Sequence, residues 1–442
     1  MEEFFNYDKL NELYINNIKY THSIGIDRIG NKKFETNLWN NISLIIKKVL
    51  NNTYQFSPYR ITIIPKGVNK LPRKICIPTV RDRLTLVALK EFISKKYMDN
   101  GKTTLENKSV QVIVAEMKEF INSNEYKYYV KMDVKGFYDN IDHDILIDKL
   151  QDRIKDEKII NLIDKAVKTE QVVEDGNRFK LDVGIPQGLS ISNILANIYL
   201  NGFDLENNSK SDYKYFRYVD DIFLLCKSEE QAKTILKKLT RRLKMQYFLE
   251  INEEKTKFGL IKNGVTYLGY RFEDGTIRVR EDSIKKFEKS IEKIFVQYVN
   301  TVNEKKNLEF LIWSLNLKIT GGTKDNKRYG WLFFFSQIED KKILFHLDSL
   351  IGKYVKRFKM ENELKGKLKK FIRTYNEINK NFAKTNYIPK FDSFSLEEKK
   401  DFLKTVCKID IENKSDERID RIFNNTVFSN LKNLERDLQM IS

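Results

Sequence analysis

Three acidic residues stand where side chains of their kind could do chemistry. Asp133 comes near the end of the run YKYYVKMDV and is followed by VKGFYDNIDHDIL, which reads as a turn into a helix. Asp220 and Asp221 lie together in YFRYVDDIFLLC, where two strongly β-forming runs flank a short polar interruption. That is the pattern of a tight hairpin. An Asp-Asp pair alone can be a solvated turn. At a hairpin tip between apolar strands, however, two carboxylates repel each other unless a cation offsets them. If the hairpin and the Asp133 strand are neighbours in one sheet, three carboxylates converge on one point. Such a set suits hard cations that take oxygen ligands, with Mg²⁺ the default. Two Mg²⁺ about 4 Å apart would then support in-line phosphoryl or nucleotidyl transfer.

The elements needed to position these groups can be read from periodicity. In 126–134, Tyr128, Val130, Met132 and Val134 point one way, and Tyr129, Lys131 and Asp133 the other. Between the acidic sites lies Gly184-Ile185-Pro186-Gln187-Gly188, a glycine-punctuated loop leading into a helix, with Ser190 or Ser192 expected as its N-cap. The glycines would let the backbone approach a flat ligand such as a base pair. Ala232, Ile235, Leu236, Leu239 and Leu243 recur at helical spacing, and Val265 to Phe272 reads as one strand. Residues 1 to about 50 read as helical, as does the chain from Leu84 to about Met98, after Arg280, and through most of 360–442.

Composition narrows the class. The chain has 442 residues, 80 Lys+Arg and 62 Asp+Glu, hence a net charge of +18. Its 41% hydrophobic and 12% aromatic content supplies a large core and excludes wholesale disorder. Three isolated cysteines and three histidines leave neither a disulfide framework nor a zinc cluster. No apolar run approaches a membrane span, and the acidic start MEEFFNYDKL lacks the order of a secretion signal. The expectation is a soluble, cytoplasmic protein. A surplus of positive charge fits a polyanionic partner, and equally a lysine-rich solvated surface. Its placement is more telling. From Arg60 to Arg83 there are seven basic residues and one acidic, Asp82, and Pro58, Pro65, Pro72 and Pro78 are four of the chain's six prolines. This reads as a basic surface of short strands and turns, suited to phosphate.

The order Asp133-FY, PQG, YVDD, LEINEEKTKF, YLGY resembles the palm of reverse transcriptases, and RITIIPKGVNKLPRKICIPTVRDR resembles the fingers of their bacterial, group II intron-like branch. The resemblance covers roughly residues 55 to 275 and implies an α+β right-hand polymerase fold. Residues 1–50 would be an N-terminal helical extension, 51–125 the fingers, and 126–275 the palm, with fingers and palm interleaved. Residues 276–360 would form a helical thumb and 361–442 a helical C-terminal region. The resemblance also implies roles. Asp133, Asp220 and Asp221 would be the metal-binding triad for two Mg²⁺, with the Val134 carbonyl an added ligand. Tyr138 matches the steric gate that favours deoxynucleotides. Lys66 and Arg73 match the residues clamping the incoming triphosphate, and Gln187 and Gly188 those under the base and template. Lys255 matches a lysine that protonates or screens the leaving pyrophosphate. Tyr267, Leu268 and Gly269 match the primer grip. Arg81 and Arg83 would either touch template phosphates or brace the palm.

No HNH-type nuclease or RNase H constellation is visible, and the retron signatures are replaced by NIYLNGFD and RFEDGTIRVRED. What remains resembles the bacterial "unknown group", or defence-associated, reverse transcriptases. That likeness implies an RNA template, in particular a dedicated non-coding RNA, with deoxynucleotides as substrates and cDNA as product, in antiphage defence. The alternatives are template-independent or protein-primed DNA synthesis, and a catalytically silent RNA-binding scaffold. Trp313, Trp331 and Phe333 to Phe335 are expected to be core anchors.

Overall fold

A computed structural model of the chain describes residues 1–21, 23–64, 72–98, 108–436 and 438. Contacts divide it into two compact units, Met1–Asn107 with Glu125–Leu260, and Lys108–Asn124 with Ile261–Ser442. Helix Val110–Asn122 therefore groups with the later residues. It does so through bonds from Gln111 Nε2 to the carbonyls of Phe333 (3.2 Å) and Phe334 (3.0 Å).

In the first unit the strands are β1 (Tyr59–Ile64), β2 (Arg73–Ile77), β3 (Tyr128–Asp133), β4 (Gln171–Val172), β5 (Arg178–Phe179), β6 (Lys214–Tyr218), β7 (Asp221–Cys226) and β8 (Lys257–Leu260). The basic, proline-spaced segment forms the antiparallel pair β1–β2. β4 adds in parallel to β1 and carries β5, giving the order β2-β1-β4-β5. The second sheet has the order β6-β7-β3-β8 and is antiparallel throughout. Its central strand β7 is buried along its whole length, which explains the uninterrupted apolar run IFLLC. Val130 and Met132 of β3 are buried, as the alternation requires. Helix Glu229–Tyr247 packs on this sheet through Ala232, Ile235, Leu239 and Leu243, with Ser228 Oγ accepting from the Gln231 amide at 3.2 Å as its N-cap.

The one acidic residue of the basic segment has a structural role. Asp82 is fully buried at the start of helix Val80–Met98. Its carboxylate accepts from Tyr54 Oη (2.8 Å), Thr79 Oγ1 (2.8 Å), the Ser57 amide (3.0 Å) and Arg81 Nε (3.2 Å). These bonds tie the chain entering β1 to the helix following β2.

The second unit holds β9 (Val265–Tyr267), β10 (Tyr270–Glu273) and β11 (Thr276–Val279) as an antiparallel sheet, and the pair β12 (Gly322–Lys324) and β13 (Lys327–Tyr329). The single strand expected over Val265 to Phe272 is instead a hairpin, with Tyr267 opposite Tyr270. Leu268 (φ 48°) and Gly269 (φ 80°) form its two-residue turn in left-handed conformations. Leu-Gly carries no Asn-Gly or Asp-Gly signal, so the turn was hidden among β-formers. Helices make up most of the rest, as expected. Trp331 is buried and stacks on Phe287 at 4.6 Å between centroids; Phe333 and Phe335 are buried, whereas Phe334 and Trp313 are only partly so. Among the described residues, no helix is long and apolar enough to cross a membrane.

Asp82→Ala strips four donors of their buried acceptor, so it should lower unfolding free energy by about 3–5 kcal/mol. Denaturant titration checks this, and a loss under about 1 kcal/mol would refute the network's role.

Candidate active site

The β3–β7 register brings the carboxylates together. Asp133 is the direct cross-strand partner of Asp221, and Asp220 occupies the turn that joins β6 to β7. Direct partners on one face have Cβ atoms roughly 4.5–5.5 Å apart, and like charges so placed repel. Both Asp133 and Asp221 are buried. Burial first, and then the charges of Asp220 and Asp133, push the Asp221 carboxyl up to about 6. Asp220 is likewise raised, by burial and by Asp133.

Two lysines face this charge. Lys255 Nζ lies 3.0 Å from both carboxylate oxygens of Asp133, and Lys131 Nζ lies 3.9 Å from Asp221. Lys255 is 60% exposed, so its bond is a solvent-screened one that a competing cation can displace. Among the described residues no three His, Cys, Asp or Glu side chains stand as a ready-made cation cage. The donor chemistry nevertheless fits a hard divalent ion: oxygen ligands only, on neighbouring strands, with ionisation opposed by their own proximity.

The turn itself is held by residues the sequence did not single out. Val219 has φ 58°, a conformation that costs a β-branched residue of order 1–3 kcal/mol. Arg217, on β6, donates to the Val219 carbonyl (2.7 Å) and, through Nε, to Asp204 Oδ1 (2.7 Å) on helix Ser192–Asn208. Arg217 and Asp204 are 7% and 6% exposed, so this ion pair anchors the strained tip from within the core. No sequence spacing links positions 204, 217 and 219 to this role. The Val134 amide adds a bond to the Asp220 carbonyl at 3.3 Å, and the Asn252 amide bonds the Asp133 carbonyl at 2.7 Å.

The glycine loop straps two neighbouring segments together. Ile185 N donates to the Tyr138 carbonyl (2.8 Å), Gly184 N to that of Ile141 (2.8 Å), and Cys76 N, on β2, to that of Gln187 (2.7 Å). At Gly188, with φ 101°, a Cβ would meet Ile75 Cγ2 at 2.7 Å; at Gly184, with φ 93°, it would meet the Asp139 carbonyl at 2.6 Å. Close backbone approach therefore explains both glycines, here against protein. The expected serine N-cap is not formed. Ile191 takes the cap position without a side-chain bond, because Ser192 Oγ donates to the Pro186 carbonyl at 2.6 Å and so closes the loop.

Tyr138 lies in the turn after Asp133, and its hydroxyl donates to Asn193 Oδ1 at 2.6 Å. Burial, then Asp220, raise this phenol to about 12, so it stays neutral. Gln187 Nε2 donates to Asp139 Oδ1 at 3.2 Å. Arg73 begins β2, opposite Ile64; Lys66 lies outside the described residues. Arg81 spends donors on the Gln55 carbonyl (3.1 Å), Ser57 Oγ (3.2 Å) and Asp82, and Arg83 on Thr21 Oγ1 (2.6 Å) and the Ser23 carbonyl (2.8 Å). These bonds hold the two arginines to Thr21 and Ser23, to Gln55 and Ser57, and to Asp82, not to the 126–275 span expected for the palm. Tyr267, Leu268 and Gly269 form the β9–β10 turn of the second unit, where the Gly269 carbonyl accepts from the Arg280 amide at 2.9 Å.

Residues 64–272 match the family described as reverse transcriptase (RNA-dependent DNA polymerase). Among curated proteins, the chain is 26% identical over 294 residues to Protein YkfC of Escherichia coli K12, covering 57% of this chain and 76% of that protein. It is 30% identical over 224 residues to the group II intron-encoded protein LtrA of Lactococcus lactis, covering 49% of this chain but only 37% of that protein. Among solved structures, apo telomerase from Candida tropicalis aligns with 93% of this chain and 78% of its own, at 15% identity and a TM-score of 0.46.

The raised Asp221 carboxyl has a testable sign. A carboxyl raised in the fold favours the protonated folded state, so its contribution to stability is lost as pH rises through about 6. In chelator at pH 7.5, Asp220→Asn with Asp221→Asn should therefore stabilise the protein, by about 1–3 kcal/mol. The gain should shrink towards pH 4. A variant less stable than the parent in chelator would contradict the crowding described here.

Proposed function

From the reverse transcriptase domain that residues 64–272 carry, we propose that this protein is an RNA-directed DNA polymerase whose reaction centres on Asp133, Asp220 and Asp221. The supporting observation is the register of β3 on β7, which makes Asp133 and Asp221 direct partners with Asp220 at the adjoining turn. These three carboxylates, with the Val134 carbonyl, would hold two Mg²⁺. When bound, such ions activate the attacking hydroxyl and stabilise charge on the leaving pyrophosphate.

The remaining roles belong to the chain's own residues. Arg73, with Lys66, binds the triphosphate, a guanidinium offering phosphate oxygens paired donors. Tyr138, fixed by Asn193, presents its ring where a ribose 2′-hydroxyl would have to fit. Gln187 and Gly188 lie beneath the incoming base and template. Lys255 exchanges Asp133 for the pyrophosphate as a proton donor or counter-charge. Tyr267, Leu268 and Gly269 bring backbone to the primer. The template is RNA, consistent with the +18 charge. We assign it to a dedicated non-coding RNA in a cytoplasmic antiphage system on the resemblance to the defence-associated reverse transcriptases alone, since the sequence carries neither a nuclease nor the retron signatures.

Asp220→Asn with Asp221→Asn should abolish Mg²⁺-dependent deoxynucleotide incorporation, while RNA affinity stays within about threefold of the parent. Near-parental synthesis by the double variant would remove the metal-site assignment. Tyr138→Ala should raise ribonucleotide relative to deoxynucleotide incorporation by about tenfold or more, and Tyr138→Phe should not. Unchanged sugar discrimination in Tyr138→Ala would remove it as the gate.

A further inference from the structure

The second unit contains a cleft of about 540 Å³ walled by helices Glu281–Val299, Leu308–Thr320 and Asp416–Arg436. It lies beyond residue 272, where the family match ends. The volume falls within the ~300–1,000 Å³ typical of small-ligand sites. Its lining includes Lys293, Lys305, Lys306 and Arg436 but no Asp or Glu. None of these four cations forms an ion pair among the described residues. Exposed lysines elsewhere do, as Lys108 with Glu116 and Lys227 with Glu125. Four unneutralised cations around one concavity repel metal ions and amines and attract phosphate oxygens.

Phosphate alone would not explain the rest of the wall. Tyr298 and Phe310 also line the cleft, and Lys306 Nζ lies 5.9 Å from the Tyr298 ring centroid. A flat aromatic surface beside lysines is the pairing that holds an unpaired base and its phosphate, because stacking requires a base free of its partner strand. Asn307 is committed to the fold, capping helix Leu308–Thr320 and bonding the Val406 carbonyl at 2.8 Å, so the loop carrying Lys305 and Lys306 is anchored.

We propose that this cleft binds a nucleotide of single-stranded RNA, its phosphate on Lys293, Lys306 and their neighbours and its base against Tyr298 or Phe310. Binding here needs neither metal nor nucleotidyl transfer, so it is measured apart from synthesis. The full chain would be titrated, in chelator and at fixed salt, into a labelled single-stranded RNA of about 12 nucleotides. Lys293→Glu with Lys306→Glu, and separately Tyr298→Ala, should each weaken binding about tenfold or more. Lys285→Glu with Lys289→Glu makes the same change in net charge outside the cleft, on the helix that carries Lys293, and should cost less than about threefold. Equal losses from the two lysine pairs, or no loss from the cleft variants, would overturn the proposal. Competition by free adenosine monophosphate as effective as competition by unlabelled RNA would also overturn it, by showing a mononucleotide site. Photocrosslinks from 4-thiouridine RNA should map to peptides spanning 290–310 or 430–436. Crosslinks confined to residues 1–260 would overturn it independently of any variant.

Discussion

Mutual repulsion among Asp133, Asp220 and Asp221 is the constraint around which the first unit is organised. Left to themselves, these groups would separate or take up protons; the antiparallel ladder of β3 on β7 prevents separation. Fixing that ladder requires β7 to be buried along its length and the β6–β7 turn to keep Val219 in a left-handed conformation. The buried Arg217–Asp204 pair on the Val219 carbonyl opposes the turn's tendency to relax. Crowded charge, strained turn and buried ion pair thus form one connected arrangement, each part unfavourable alone. It is this crowding on which the proposed cation site rests.

The glycine loop extends this arrangement towards the basic hairpin. Its backbone bonds reach the Tyr138–Ile141 segment on one side and Cys76 of β2 on the other. A side chain at Gly184 or Gly188 would push these segments apart. The loop therefore fixes Gln187 and Tyr138 relative to each other, and both relative to the strand that begins at Arg73. The residues proposed to meet the phosphate and the sugar of one nucleotide are thereby held in one connected frame.

Much of this was legible in the sequence because strands have a strict period of two. Alternation through 126–134 put Asp133 opposite the buried Val130 and Met132, and the apolar runs around Asp220 and Asp221 marked a hairpin. Motif order then carried the family resemblance. Long-range partners were not legible. Arg217 with Asp204, and Tyr138 with Asn193, meet only through tertiary packing, and nothing local announces them. Local rules also failed where a side chain had a better partner. Ser192 reads as a cap, yet its hydroxyl closes the preceding loop. The Leu268–Gly269 turn lacked the usual turn residues, and the β12–β13 pair, although its turn is Asp325-Asn326, was absorbed into helical surroundings.

The central claim is that the crowded carboxylates drive RNA-templated DNA synthesis. Its most direct test is to purify the protein with whatever RNA accompanies it, add labelled deoxynucleotides with Mg²⁺, and sequence both product and RNA. A DNA product complementary to the bound RNA, absent when chelator replaces Mg²⁺, is the predicted result. A product with no counterpart in the RNA, or no product on any supplied RNA template and primer, would contradict it.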